Sequence, residues 1–76
     1  MALYEEASTL YSQYLEQYPE DIKIRMDLAD CFVNLGDTES ALREFDTVLL
    51  LEPEHELAQA KYDELSSGGA DSGEPS

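Results

Sequence analysis

Asp27 and Asp30 stand three residues apart, the spacing that brings two carboxylates to one face of a helix. Such a pair invites a cation, but hard cations take about six or more oxygens, usually from a flexible loop. Lys23 and Asn34 fall on the same row, and together the four read as one polar stripe with no metal site. Tyr11, Tyr14 and Tyr18 make an i, i+3, i+7 row. Aromatic rows serve as core or as anchors for a partner, and a tyrosine face without an intrachain neighbour must be covered by something else. Nucleophilic chemistry finds no constellation. His55 sits in an expected turn with no serine or cysteine motif around it, and Cys31 falls on an apolar stripe, where a thiol packs as a small hydrophobe. No catalytic residue and no cofactor is expected.

The charge balance narrows the partners. Eighteen acidic residues against four basic ones give a net charge of −14, which opposes binding to phosphate backbones and to anionic membrane surfaces. Neither nucleic acid nor membrane is expected as a partner, and a basic protein or peptide is the favoured class. The single cysteine excludes an intramolecular disulfide and a thiolate metal cage, as suits a reducing compartment. The sequence carries no basic leader with an apolar core, and no stretch nears the roughly 18 apolar residues of a membrane span. A soluble, cytoplasmic chain is the expectation. At 76 residues it makes one small domain, which buries only about 60% of its unfolded surface and gains much from a further repeat or a second subunit.

The elements that carry these residues follow from periodicity. Ala7, Leu10, Tyr11, Tyr14, Leu15 and Tyr18 recur at helical spacing, and Pro19 stops the pattern, so a first helix is expected over about 3–18. Asp21 caps a second, over 22–35, with Ile24, Leu28, Cys31, Phe32 and Leu35 on one stripe and Ile22, Met26, Ala29 and Val33 on the next. Apolar over most of its circumference, it should be the most buried helix. Gly36 closes it, Asp37 caps a third over 38–52, and Pro53 ends that one. Leu50 or Leu51 exceeds what one helix face can hide. A fourth helix over 54–66 carries Ala58, Tyr62 and Leu65 on one stripe and polar residues elsewhere, as a terminal cap should. Residues 1–66 form the domain, and the Gly, Ser and acid-rich stretch 67–76 reads as a disordered tail.

Displaced by 34 residues, the chain superposes Ala7 on Ala41, Tyr11 on Phe45, Leu15 on Leu49 and Pro19 on Pro53. That is the period of a helix-turn-helix solenoid. Leu28-Ala29, Phe32, Gly36-Asp37, Ala41, Phe45 and Pro53 resemble the tetratricopeptide repeat family over one full unit, Ile22 to His55. Tyr4-Glu5-Glu6-Ala7, Tyr11 and Pro19 resemble the second half of a preceding unit, and 54–66 the helix that caps an array. Arg25 stands where the family often has tryptophan, and Tyr14 where a small residue lets helices approach. Tyr14 therefore implies a wider gap or an altered packing angle.

The resemblance implies an all-α, antiparallel helix-turn-helix solenoid fragment of four helices and a non-catalytic role in protein interaction. It also implies a site: the concave face formed by the first helix of each pair, here Lys23, Asp27, Asp30 and Asn34, continued one period later by Leu57, Lys61 and Glu64. The row leans acidic, and Asp30 and Glu64 offer pairing to a partner's Lys or Arg. Met26 and Asp30 stand where a clamp for acidic chaperone tails would need lysine and asparagine, so this segment lacks that pocket. The alternative expectation is an assembly element that docks through the uncovered first helix, by Tyr11, Tyr14 and Tyr18, onto a second copy or upstream repeats.

Overall fold

A computed structural model describes residues 3–68. Four α-helices follow one another: α1 (Leu3–Gln17), α2 (Ile22–Leu35), α3 (Thr38–Leu51) and α4 (Glu56–Asp63), the last running into a single π-helical turn, Glu64–Gly68. Each packs on its sequence neighbour, α1 on α2, α2 on α3 and α3 on α4, in an antiparallel all-α stack. The Cα slab measures 42 × 34 × 14 Å, thin enough that every helix keeps one face toward solvent.

The boundaries are set by local chemistry. Pro19 disfavours helical backbone at Tyr18, and α1 stops at Gln17, although the Tyr18 amide still bonds to the Tyr14 carbonyl at 3.0 Å. Asp21 then does two jobs. One carboxylate oxygen accepts the Ile24 amide at 3.2 Å and caps α2, while the other accepts the Tyr14 hydroxyl at 2.8 Å and ties α1 to that cap. Gly36, at φ 79° and ψ 12°, closes α2 in the left-handed region, with Gly36 N–H to the Val33 carbonyl and Asp37 N–H to the Phe32 carbonyl. That pair of bonds is a Schellman motif. Nothing lies within 4 Å of where a Cβ would stand, so backbone conformation alone favours glycine there. Asp37 caps α3 through the Ser40 amide at 3.2 Å.

α4 is shorter than its periodicity suggests. His55 is its N-cap, its Nδ1 accepting the Ala58 amide at 3.1 Å, so the helix begins at Glu56 rather than 54. At the far end the hydroxyls of Ser66 and Ser67 donate to the Asp63 carbonyl, a competition with the helical ladder that accompanies the change to π geometry. Ser67 and Gly68, which sequence assigns to the tail, complete that turn; the rest of the expected tail lies outside the described residues.

The core is Met26 and Ala29 from α2, Ala41, Phe45 and Val48 from α3, and Ala58 from α4, with Ile22, Phe32, Leu49, Tyr62 and Leu65 packed against it. Three alanines with no exposure, one per helix, mark where α2, α3 and α4 approach closely. The largest fully buried side chains, Phe45 and Val48, are on α3. α2 has more buried positions, yet Val33 and Leu35 near its end are exposed, so the expectation that it is the most buried helix holds only for its first three turns. α1 contributes one buried residue, Leu15.

Candidate functional site

Two surfaces present residues able to engage another molecule. The first is a groove of about 430 Å³ between α2 and the start of α4, lined by Ile22, Lys23, Met26, Asp27, Asp30, His55 and Leu57. Helical spacing places Lys23, Asp27 and Asp30 on one ridge of α2, and the His55 cap sets the first turn of α4, hence Leu57, opposite them. Ile22, Met26 and Leu57 supply apolar lining, and two ion pairs rim it: Lys23 Nζ to Asp27 at 3.6 Å and Lys61 Nζ to Asp30 at 3.7 Å. The second pair crosses from α4 to α2. Exposed pairs of this kind contribute only about 0–1 kcal/mol, so either cation can exchange for a partner's.

The structure thus brings Lys23, Asp27, Asp30 and Leu57 to one groove, with Lys61 reaching Asp30 from outside its lining. Asn34 and Glu64 lie at exposed positions beyond it, and the Asn34 amide group donates to the Asp30 backbone carbonyl at 2.9 Å. His55, which sequence reading set aside as a turn residue, is both lining and helix cap. A signal was available: position 55 directly precedes an apolar-periodic stretch, where caps belong, although imidazole is not a usual cap residue.

The second surface is the outer side of α1. The tyrosine row splits. Tyr11 is half-buried and shares the α2-facing side with buried Leu15, whereas Tyr14 and Tyr18 are exposed. Their rings meet at a centroid distance of 4.8 Å, tilted by 34°. Leu10 and Leu3, which sequence reading did not single out as surface, stand 64% and 65% exposed. Leu3, Leu10 and Tyr14 are separated by seven and four residues, so they form one outward stripe that Tyr18 extends. Tyr14 lies at the helix edge with its hydroxyl on Asp21. That hydrogen bond, followed by partial desolvation and the charges of Asp21 and Tyr18, raises its pKa above the ordinary tyrosine value.

One interaction inside the stack was invisible to periodicity. Arg25 Nη1 donates to Glu44 Oε1 at 2.7 Å and Nη2 to the Pro19 carbonyl at 2.7 Å, joining the α1–α2 turn, α2 and α3. Both charged side chains are largely buried, and the Arg25 Nε has no partner among the described residues. Cys31 is buried as expected; desolvation, then the charges of Asp27 and Asp30, raises its pKa and keeps the thiol protonated. Among the described residues, no group of three or more His, Cys, Asp and Glu side chains is placed to hold a metal ion, and no helix is long and apolar enough to cross a membrane.

Adjacent antiparallel helices stacked in sequence order define a helical-repeat protein of the α-solenoid class. The tetratricopeptide repeat family model matches residues 3–65, and the chain belongs to that family. No curated protein and no solved structure gives a significant match. The family's repeats are non-catalytic elements that generally mediate protein–protein interaction, by binding proteins or peptides.

Proposed function

We propose that the chain is a non-catalytic interaction module that takes an extended segment of a partner protein in the groove between α2 and α4. The observation that carries this reading is the composition of the groove: apolar lining from Ile22 and Leu57 beside carboxylates whose cations are held only by long, exposed pairs. A peptide with an apolar side chain flanked by Lys or Arg buries the first on Leu57 and exchanges the second for Lys61 at Asp30. Glu64 adds a further carboxylate on the continuation of the row. The excess of acid elsewhere on the chain steers such a peptide in from a distance, making association faster at low salt.

The test is binding of a short Lys- and Leu-containing peptide to the chain and to Asp30→Lys. Charge reversal should weaken binding by roughly tenfold and flatten its salt dependence. Unchanged affinity would remove the groove assignment. A second reading, an assembly element that docks through α1, rests on a different observation, the exposure of Leu3, Leu10, Tyr14 and Tyr18.

A further inference from the structure

We infer that protonation of His55 switches off the groove between α2 and α4, an inference that rests on the peptide site proposed there. His55 Nδ1 accepts the Ala58 amide at 3.1 Å. A backbone N–H can only donate, so this cap exists only while that ring nitrogen carries no proton. Imidazole is the side chain whose ordinary charge change falls between about pH 5 and 8, and His55 is the one histidine of the chain. One period earlier, at the same place after a Pro-Glu pair, Asp21 caps α2 by accepting the Ile24 amide, and Asp37 caps α3 through Ser40. Carboxylates ordinarily stay ionised through the imidazole range, so mild acid reaches the α4 cap and leaves the other two in place.

Two consequences of that proton act on the groove. The first is loss of the cap. Leu57 is 55% exposed, so packing does not hold it in place. The turn that carries it is set by the cap and by the His55 N–H, which donates to the Glu52 carbonyl at 3.0 Å. A protonated ring replaces the acceptor with a second donor and puts a positive charge at the amino end of α4, and both oppose the first helical turn. Leu57 then leaves the apolar lining. The second consequence is charge. Lys23, Asp27 and Asp30 of α2 line the same groove as His55. Glu52 and Glu54 flank it in the turn between α3 and α4, and Glu56 and Asp63 share the adjoining surface of α4. The two lysines nearby are paired, Lys23 with Asp27 and Lys61 with Asp30. An imidazolium here takes up the carboxylates that a partner's Lys or Arg would use, so the proton and the basic segment compete. Binding the segment expels the proton, and affinity falls with pH by at most about tenfold per pH unit, the limit for a single proton.

Calorimetric titration with an end-blocked Lys- and Leu-containing peptide tests this, on the full chain and on His55→Asn, at about pH 7.5 and about pH 5.5 and one ionic strength. The chain should lose affinity by roughly tenfold on acidification. His55→Asn, whose side-chain oxygen caps α4 without titrating, should change by less than about twofold. Nuclear magnetic resonance of the free chain adds a second readout: the Ala58 amide should move with the titration of the His55 ring, while the Ile24 amide under the Asp21 cap stays in place. An equal loss in both proteins, or no loss in the unaltered chain, would overturn the switch. Failure of the peptide to bind at either pH would refute the groove reading instead, and the switch would then be overturned by an Ala58 amide that stays fixed while the ring titrates.

Discussion

The two ends of the helical stack are built differently. α4 is eight residues long, yet it hides most of its apolar side: Ala58 is fully buried, Tyr62 packs on the core together with Leu65 of the π-helical turn that follows, and of its large hydrophobic side chains only Leu57 stands exposed, on the groove. α1 is nearly twice as long and, among the described residues, keeps an apolar stripe exposed. It buries Leu15 against α2 and turns Leu3, Leu10 and Tyr14 outward. A helix with one apolar stripe can end a stack, while a helix with two lies between neighbours. The contrast teaches that length and hydrophobic content do not tell how well a terminal helix is packed; the number of apolar stripes does.

The largest effect that sharpens this contrast is in the core. Phe45→Ala should cost about 3–5 kcal/mol and unfold a domain of this size, as read by thermal melting, because Phe45 lies in the core that α2, α3 and α4 share. Next come the two sides of α1. Leu15→Ala should cost about 2–5 kcal/mol, while Leu10→Ala should change the stability of the free chain by no more than about 0.5 kcal/mol. Similar losses at both sites would show that the outer stripe is already covered. Glu44→Ala strands the Arg25 guanidinium and should cost about 2–3 kcal/mol in urea denaturation, with no effect on peptide binding in the α2–α4 groove.

At the closed end, His55→Ala removes the α4 cap and should cost about 1 kcal/mol, recovered by His55→Asn, whose side chain also caps. The smallest effects are in pH. Hydrogen bonding from the Ser40 side chain and amide lowers the Asp37 pKa below the ordinary carboxylate value. Its contribution is therefore complete above that value and is lost as pH falls through the lowered folded one. Tyr14 works in the opposite sense. Its pKa is raised, so its tie to Asp21 is complete below the ordinary tyrosine value and is lost as pH rises through the folded one. Melting temperatures across pH for Asp37→Asn and Tyr14→Phe should each lose one of these two slopes.

Much of the fold was legible because punctuation and periodicity agree. Pro19, Asp21, Gly36, Asp37 and Pro53 each act through local backbone chemistry, and the structure uses them as caps and stops. The first difference arose where side chains compete with the backbone, at Ser66 and Ser67, since nothing in hydrophobic spacing reports a hydroxyl's choice of carbonyl. The second was the division of α1. Ala7, Leu10, Tyr11, Tyr14 and Leu15 read as one broad stripe in sequence, and only the position of α2 separates Tyr11 and Leu15 from Leu10 and Tyr14. The Arg25–Glu44 pair escaped altogether, because its partners sit 19 residues apart on different helices. For the groove, the polar row on α2 was readable from its spacing, but its pairing with Lys61 depends on how α4 lies across it.

The most direct test of the groove between α2 and α4 is an amide chemical-shift titration of the chain with the short Lys- and Leu-containing peptide. Shifts concentrated at Lys23, Asp27, Asp30, Leu57 and Lys61, with Leu10 and Tyr14 unmoved, are predicted. Shifts confined to α1, or spread evenly over all four helices, would contradict it.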